Sequence, residues 1–366
     1  MSTTINCRKS IRKRWSSFLI GVLCIYNLHA QERNTQLRVY GHLQYNLENV
    51  DDINKSEELH SYFSIGEQDF FVTSVITDRI TFLGESVIRY DNSTATKFAP
   101  SIERAQLKFD YTGNHSLIVG KMHTPVNYWN DVYHHGRLFF PTIDRPASFS
   151  YFIPLHSLGI RLQGQNLGRW NWGYDLCASN GIASTDIYDD AASKAVVAAI
   201  HCKPIEGLRA GVSYFNDYMP TNITGAHVGH GYVKKEYTGA LNFELMCASL
   251  AYFGKRLELL YEGGYNLTAT DSLGTAENQS HFGLIGWKLK EKYVPYALID
   301  FMDISERDLH SVPFDVFKIG LGFRIDFNYQ TSLKMQLERY EYSETHQEYS
   351  HTHNRFDFKV QLAYGF

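Results

Sequence analysis

The final thirteen residues, "NRFDFKVQLAYGF", alternate without a break between two kinds of side chain. Successive side chains of an extended strand point to opposite faces, so Phe356, Phe358, Val360, Leu362, Tyr364 and Phe366 share one face. Arg355, Asp357, Lys359, Gln361, Ala363 and Gly365 share the other. Strands of soluble proteins average about 5–6 residues, whereas a strand crossing an outer membrane needs roughly 9–11. An alternation this long leaves few architectures open.

The same period of two recurs along the chain. Leu37, Val39, Gly41, Leu43, Tyr45 and Leu47 alternate with Arg38, Tyr40, His42, Gln44 and Asn46. Ala105, Leu107, Phe109 and Tyr111 oppose Arg104, Gln106, Lys108 and Asp110. Phe317, Ile319, Leu321, Phe323 and Ile325 oppose Val316, Lys318, Gly320, Gly322 and Arg324. A helical period of 3.6 is almost nowhere dominant. Short turns are expected at Asp78-Arg79, 112–114, 165–169, 204–207, 253–255, Glu291-Lys292 and 326–330. Longer polar segments lie between them, at 48–60, 91–101, 122–154, 180–192, 217–235, 266–279, 302–315 and 342–353. Seven turns and eight loops separate about sixteen strands, the alternation expected of membrane barrels. The tenth strand, within 236–252, fits more than one register, and the second, fifth and eighth alternate imperfectly.

Residues 1–30 read as a cleaved secretory signal. Arg8, Lys9, Arg12, Lys13 and Arg14 precede the apolar run "FLIGVLCIYNL", which ends at "LHA". That run is too short for a transmembrane helix, and Leu23 before Cys24 does not suit a lipoprotein signal. Removing the segment takes the formal charge from −4 to −9. An acidic chain of this kind does not suit nucleic acid, whose phosphates call for clustered Lys and Arg. Cys177, Cys202 and Cys247 then remain, an odd number with no disulfide framework.

An exported chain with no second long apolar run, half-polar strands and two unequal sets of connections points to a closed sheet. The expected fold over 31–366 is all-β, a transmembrane antiparallel up-and-down β-barrel of about sixteen strands in outer-membrane lipid. A soluble propeller or β-helix would need an internal repeat, and none is found.

The leader, the strand count and the alternation ending at Phe366 together resemble a Gram-negative outer-membrane porin. In that superfamily a terminal aromatic preceded by alternate apolar residues is read by the barrel assembly machinery, and Phe358, Val360, Leu362, Tyr364 and Phe366 match it. "GKMHTPVNYWNDVYHHG" resembles a segment of porin-like barrels, phosphate-selective relatives included, where a strand ends in Gly-Lys/Arg and enters a loop. The resemblance implies a third loop folded into the barrel, passive diffusion of small hydrophilic solutes, and a homotrimer as the assembly to look for.

Sixteen strands enclose an aqueous channel. Its expected lining includes Arg38, His42, Arg104, Lys108 and Arg161 on the earlier strands, and Arg209, Lys318, Arg324, Lys334 and Lys359 on the later ones. Asp110, Asp175, Glu258, Glu262, Glu338 and Asp357 share these faces, so the charges either favour anions or neutralise one another. The 122–154 segment carries His123, Tyr128, Trp129, His134, His135, Arg137 and Arg145, amphipathic groups that gain by burial. It is read as a constriction, with a cap over the mouth or a subunit contact as competing roles. Adjacent histidines on an extended chain point apart, so solvated loop histidines are expected, with no metal and no cofactor. A surface receptor or adhesin, or a barrel enzyme, is the competing function, although no nucleophile motif is visible.

Deleting Phe366 should lower the yield of assembled barrel far more than a loop change of similar size, read as the heat-modifiable fraction on gels.

Overall fold

The computed structural model describes residues 34–50, 58–90, 96–151, 153–182, 193–219, 239–272, 274–308, 314–346 and 349–366. The leader expected at 1–30 lies outside them. Sixteen strands follow in chain order: β1 (Thr35–Val50), β2 (Glu58–Thr77), β3 (Ile80–Tyr90), β4 (Phe98–Thr112), β5 (His115–His123), β6 (His156–Leu167), β7 (Trp172–Ser179) and β8 (Ala195–Cys202). The second half comprises β9 (Leu208–Met219), β10 (Leu241–Phe253), β11 (Leu257–Thr270), β12 (Gly274–Trp287), β13 (Tyr293–Asp303), β14 (Phe314–Asn328), β15 (Thr331–His346) and β16 (Tyr349–Gly365). Each strand pairs antiparallel with its neighbours in sequence, and β1 pairs with β16 to close the barrel.

The closing seam begins at the chain end. Val39 N–H donates to the Phe366 carbonyl at 2.8 Å, and Phe366 N–H returns the bond to Val39 at 2.9 Å. The Tyr364 ring lies over Gly41, where an added Cβ would come within 2.7 Å of its hydroxyl oxygen. The hydroxyl donates to Gln68 Oε1 on β2 at 2.8 Å. One tyrosine thus ties β16 across β1 to β2, and it needs a residue without a side chain beneath it.

The alternation sorts side chains as the period of two requires. On β14 and β15, Ile319, Leu321 and Leu337 are exposed on the outer wall while Lys318, Lys334 and Glu338 are buried inside. Phe356, Leu362 and Phe366 likewise lie on the outer face of the terminal segment.

All seven short turns lie where the sequence places them, their ends within three residues. The opposite side differs in two places. Between β11 and β12 only residues 271–273 intervene, and between β15 and β16 only 347–348. The segments 266–279 and 342–353, expected as long loops, are mostly the ends of long hairpins. Their polar composition hides strand because a ladder satisfies its own backbone wherever it runs, and beyond the hydrocarbon the outer face need not be apolar. There Tyr265 donates to Glu277 across the outer face of β11 and β12 at 2.6 Å.

The tenth strand resolves as β10, and the source of its ambiguity is visible. Leu241, Phe243 and Leu245 are buried inside, while Met246 and Leu250 face outward. A strand apolar on both faces carries no register signal. Its inner face is apolar because that side of the interior is a packed core, in which Phe215, Leu260, Phe282, Leu284 and Leu298 of neighbouring strands meet the segment joining β5 to β6.

An epitope inserted after Asp271, at the β11–β12 tip, should be labelled on intact cells. One inserted after Tyr329, in the β14–β15 turn, should be labelled only after permeabilisation. Reversed labelling would invert the barrel in its membrane.

Candidate constriction site

The described residues of 124–155 pass inside the barrel rather than over its mouth. The path is irregular: a π-helical turn at Trp129–Tyr133, a 3-10 turn at Arg137–Phe139 and a five-residue helix α1 at Ala147–Tyr151. Several of its apolar groups are deeply covered: Val126, Trp129, Phe140 and Ile143 have no exposed surface, whereas Val132 and Phe139 are about half exposed. Trp129 meets Phe140 and the β12 residue Phe282 edge-on, with ring centroids 5.1 and 5.7 Å apart. Burying each such aromatic contributes about 1.5–3 kcal/mol.

An irregular segment leaves its backbone donors without helix or sheet partners, and the barrel wall supplies them. Trp129 N–H donates to Glu262 on β11 at 2.6 Å, and Gly136 N–H to Asp69 on β2 at 2.9 Å. Ile143 N–H donates to Gln336 on β15 at 3.1 Å, and Ala147 N–H to Asp300 on β13 at 2.8 Å. From the wall, the Lys334 ammonium donates to the Arg137 carbonyl at 2.5 Å and to that of Thr142 at 3.3 Å. The loop is therefore fastened to opposite sides of the barrel.

Ion pairs complete the attachment. Asp131 receives Arg209 from β9 at 2.5 Å and Arg161 from β6 at 3.5 Å. Burial alone would raise the Asp131 carboxyl, but the two guanidiniums hold it below the usual carboxylate range. Asp144 meets Lys359 of β16 at 2.7 Å. Arg145 takes both oxygens of Glu67 on β2, at 3.1 and 2.8 Å, and lies against the Phe140 and Phe149 rings.

Four histidines gather where the loop leaves and rejoins the wall. His123 stacks on His134 with centroids 3.5 Å apart, and His156 lies 4.6 Å from His134. His135 sits between Glu67 and Glu103, each 3.5 Å from one of its ring nitrogens. Burial works against charge on His135, but the two carboxylates raise it to about 9. His134, buried beside other cationic groups, is pushed well below its ordinary value. The expectation of solvated histidines fails for this pair. The π-helical turn ends at His134, whose φ is +35°, so the two rings are not on an extended chain and can converge.

The ten expected lining residues all lie on the inner face, though in different surroundings. Arg38 is exposed near the start of β1 and bonds Gln36 at 3.3 Å; His42 is buried against Gly66. Lys108 pairs with Asp110 at 3.0 Å on an open part of the wall. Arg104 is held by Glu85, and Arg161 by Asp175 at 2.7 Å. Arg324 grips Glu258 through two nitrogens, at 3.0 and 2.8 Å, and Lys318 lies 3.3 Å from Asp300 and 3.4 Å from Glu338. Of the expected loop residues, His123, Trp129, His134 and His135 are buried; Arg137 lies over the Phe140 ring, and Arg209 over that of Tyr128. The sequence reading missed the acidic partners Glu67, Asp69, Glu85 and Glu103. They sit on β2, β3 and β4 beside bulges at Gly41/Leu43 and Glu85/Ser86, which shift the alternation.

Two cavities open on the short-turn side of the loop. One, of 780 Å³, is lined by Tyr128, Asp131, His201, Lys203, Arg209 and Phe253 among others. The second, of 340 Å³, lies among Tyr133, Phe140, Glu258, Arg324 and Asp326.

Removing the cation from a buried pair should cost about 3–5 kcal/mol. Arg145→Met should therefore open the loop to protease in the folded barrel by that margin, measured by native-state proteolysis. Adding Glu67→Gln should recover at least half of the loss, since the stranded carboxylate goes too.

No family model matches the chain, and no curated protein does. Solved structures do. The anion-selective porin from Comamonas acidovorans aligns with a TM-score of 0.61 at 12% identity, over 91% of this chain and 99% of that one. The outer membrane channel DcaP of Acinetobacter baumannii aligns at 0.60 and 11%, over 92% and 98%. The trimer form of OmpT, an outer membrane protein of Vibrio cholerae, aligns at 0.56 and 11%, over 91% and 100%. At such identity the likeness is one of fold: the chain has the closed, sixteen-stranded antiparallel barrel of the outer-membrane porins.

Proposed function

We propose that this chain is an outer-membrane channel for small hydrophilic solutes, with the 124–155 loop as its constriction. The observation that carries the reading is the loop itself, fastened inside a closed barrel to β2, β11, β13 and β15 by hydrogen bonds to wall side chains. A segment so placed narrows whatever path the barrel offers, and charge at the narrowing decides which ions pass. Charged groups of both signs border it, among them Asp131, Asp144, Arg209 and Lys359. Export by a cleaved leader, delivery to the barrel assembly machinery and a homotrimer belong to the same reading.

The extent of pairing favours weak over strong ion preference. Arg104, Lys108 and Arg161 each face a carboxylate, so little net positive field remains around them. Changing all three to Gln would leave Glu85, Asp110 and Asp175 without these partners. The reversal potential should then move toward cations, and less so at high salt, where screening shortens the reach of each charge.

A second reading rests on the apolar packing between the loop and the inner faces of β9–β13. A receptor or a barrel enzyme needs a rigid floor more than it needs a path, and this packing provides one. Conductance separates the readings. Shortening the loop between Asn127 and Ser148 should raise single-channel conductance in planar bilayers while the barrel stays assembled. A folded deletion variant with unchanged conductance would reject the constriction role, and a silent wild-type protein would favour the receptor or enzyme.

A further inference from the structure

We propose that the root of the loop is a binding site for one transition-metal dication of the zinc type, with His134, His135, His156 and Glu103 as ligands. One ligand atom from each of the four lies within 4.8 Å of every other. Glu103 Oε2 is 2.7 Å from His156 Nε2 and 3.5 Å from His135 Nε2. Ligands bound tetrahedrally at about 2.0–2.2 Å stand roughly 3.3 Å apart, so the group needs only a modest contraction around an ion. Three imidazoles and one carboxylate suit zinc, cobalt or nickel; calcium and magnesium take oxygen.

Two further observations point to a ligand here. Among the proposed ligands, the buried ring nitrogen His135 Nε2 makes no hydrogen bond. Atoms of this kind are costly to bury, and an ion at the centre offsets that cost. The second is the orientation of His134. Asn130 Nδ2 donates to the Thr124 carbonyl and Oγ1, both at 2.9 Å, and to the Leu155 carbonyl at 3.2 Å. Its Oδ1 is thereby turned to His134 Nδ1 at 2.5 Å. That contact places the proton on Nδ1 and leaves a lone pair on Nε2, the outer-shell arrangement that prepares histidine as a ligand. At the second ring, His135 Nδ1 lies 3.2 Å from the Arg145 guanidinium and 3.5 Å from Glu67.

His134 and His135 belong to the loop, whereas His156 and Glu103 belong to the wall. The ion therefore fastens the constriction to the barrel at its root, and the site stands whether or not the barrel conducts.

The test is a titration of the purified full-length barrel, free of any histidine tag and stripped with chelator, with Co²⁺. One Co²⁺ per chain is expected, with the intense visible bands of tetrahedral coordination, displaced by Zn²⁺. Glu103→Gln and His156→Gln should each weaken binding by at least about tenfold. A His346→Gln/His351→Gln/His353→Gln variant, altered in the β15–β16 hairpin, should bind as the wild type does. If the cluster variants fail to fold, hydrogen exchange in the wild type decides: Zn²⁺ should slow the amides around His134 and His135. Absence of stoichiometric tetrahedral Co²⁺, binding that persists in the cluster variants, binding lost in the hairpin variant, or unchanged exchange at the loop root would each overturn the proposal.

Discussion

In hydrocarbon no water is available to a backbone amide, and the rest of this structure follows from that constraint. Every strand must find two partners, so the sheet closes, and β1 meets β16 through the exchanged bonds of Val39 and Phe366. An antiparallel sheet closed on an even number of strands returns the chain to the side from which it started. Sixteen strands enclose more space than their own side chains fill. That space is where the chain puts its chemistry.

The loop inside the barrel shows how a segment without regular structure can be held rigidly. Its aromatic groups pack on the apolar inner wall, and its amides bond side chains of the wall in place of a helix or sheet. Its charges meet counter-charges rooted in four strands, from Glu67 on β2 to Lys359 on β16. Buried pairs like these contribute little net stability against well-packed apolar replacements, but losing one partner is costly. Each pair ties the loop to a different strand.

The barrel was legible because a two-residue period survives any amount of sequence change that keeps one face oily. The terminal strand and β14 needed only that period, and the short turns needed only their residue types. Long hairpin ends were hidden because Asn266, Thr268 and Asn278 face inward and read as loop. β10 was obscured because Phe243 and Met246 make both of its faces apolar. Alternation fixes which way Arg161 or Lys318 points, but not which carboxylate each meets. Asp131 reaches Arg209 across 78 positions of sequence, and Arg145 reaches Glu67 across the same separation. The histidine cluster was least legible, since it depends on one left-handed backbone turn at His134 and on a carboxylate displaced by a bulge.

The route of the loop has a consequence for the order of assembly. It leaves the wall after β5, yet the residues that hold it lie on strands made both before and after it, up to Lys359 in the last strand. Tyr40 of β1 packs on Phe139 of the loop with centroids 5.1 Å apart, directly inside the seam where Gly365 pairs with Tyr40. Its full set of contacts can therefore exist only once the last strand is in place, because Lys359 and the seam at Tyr40 supply part of them.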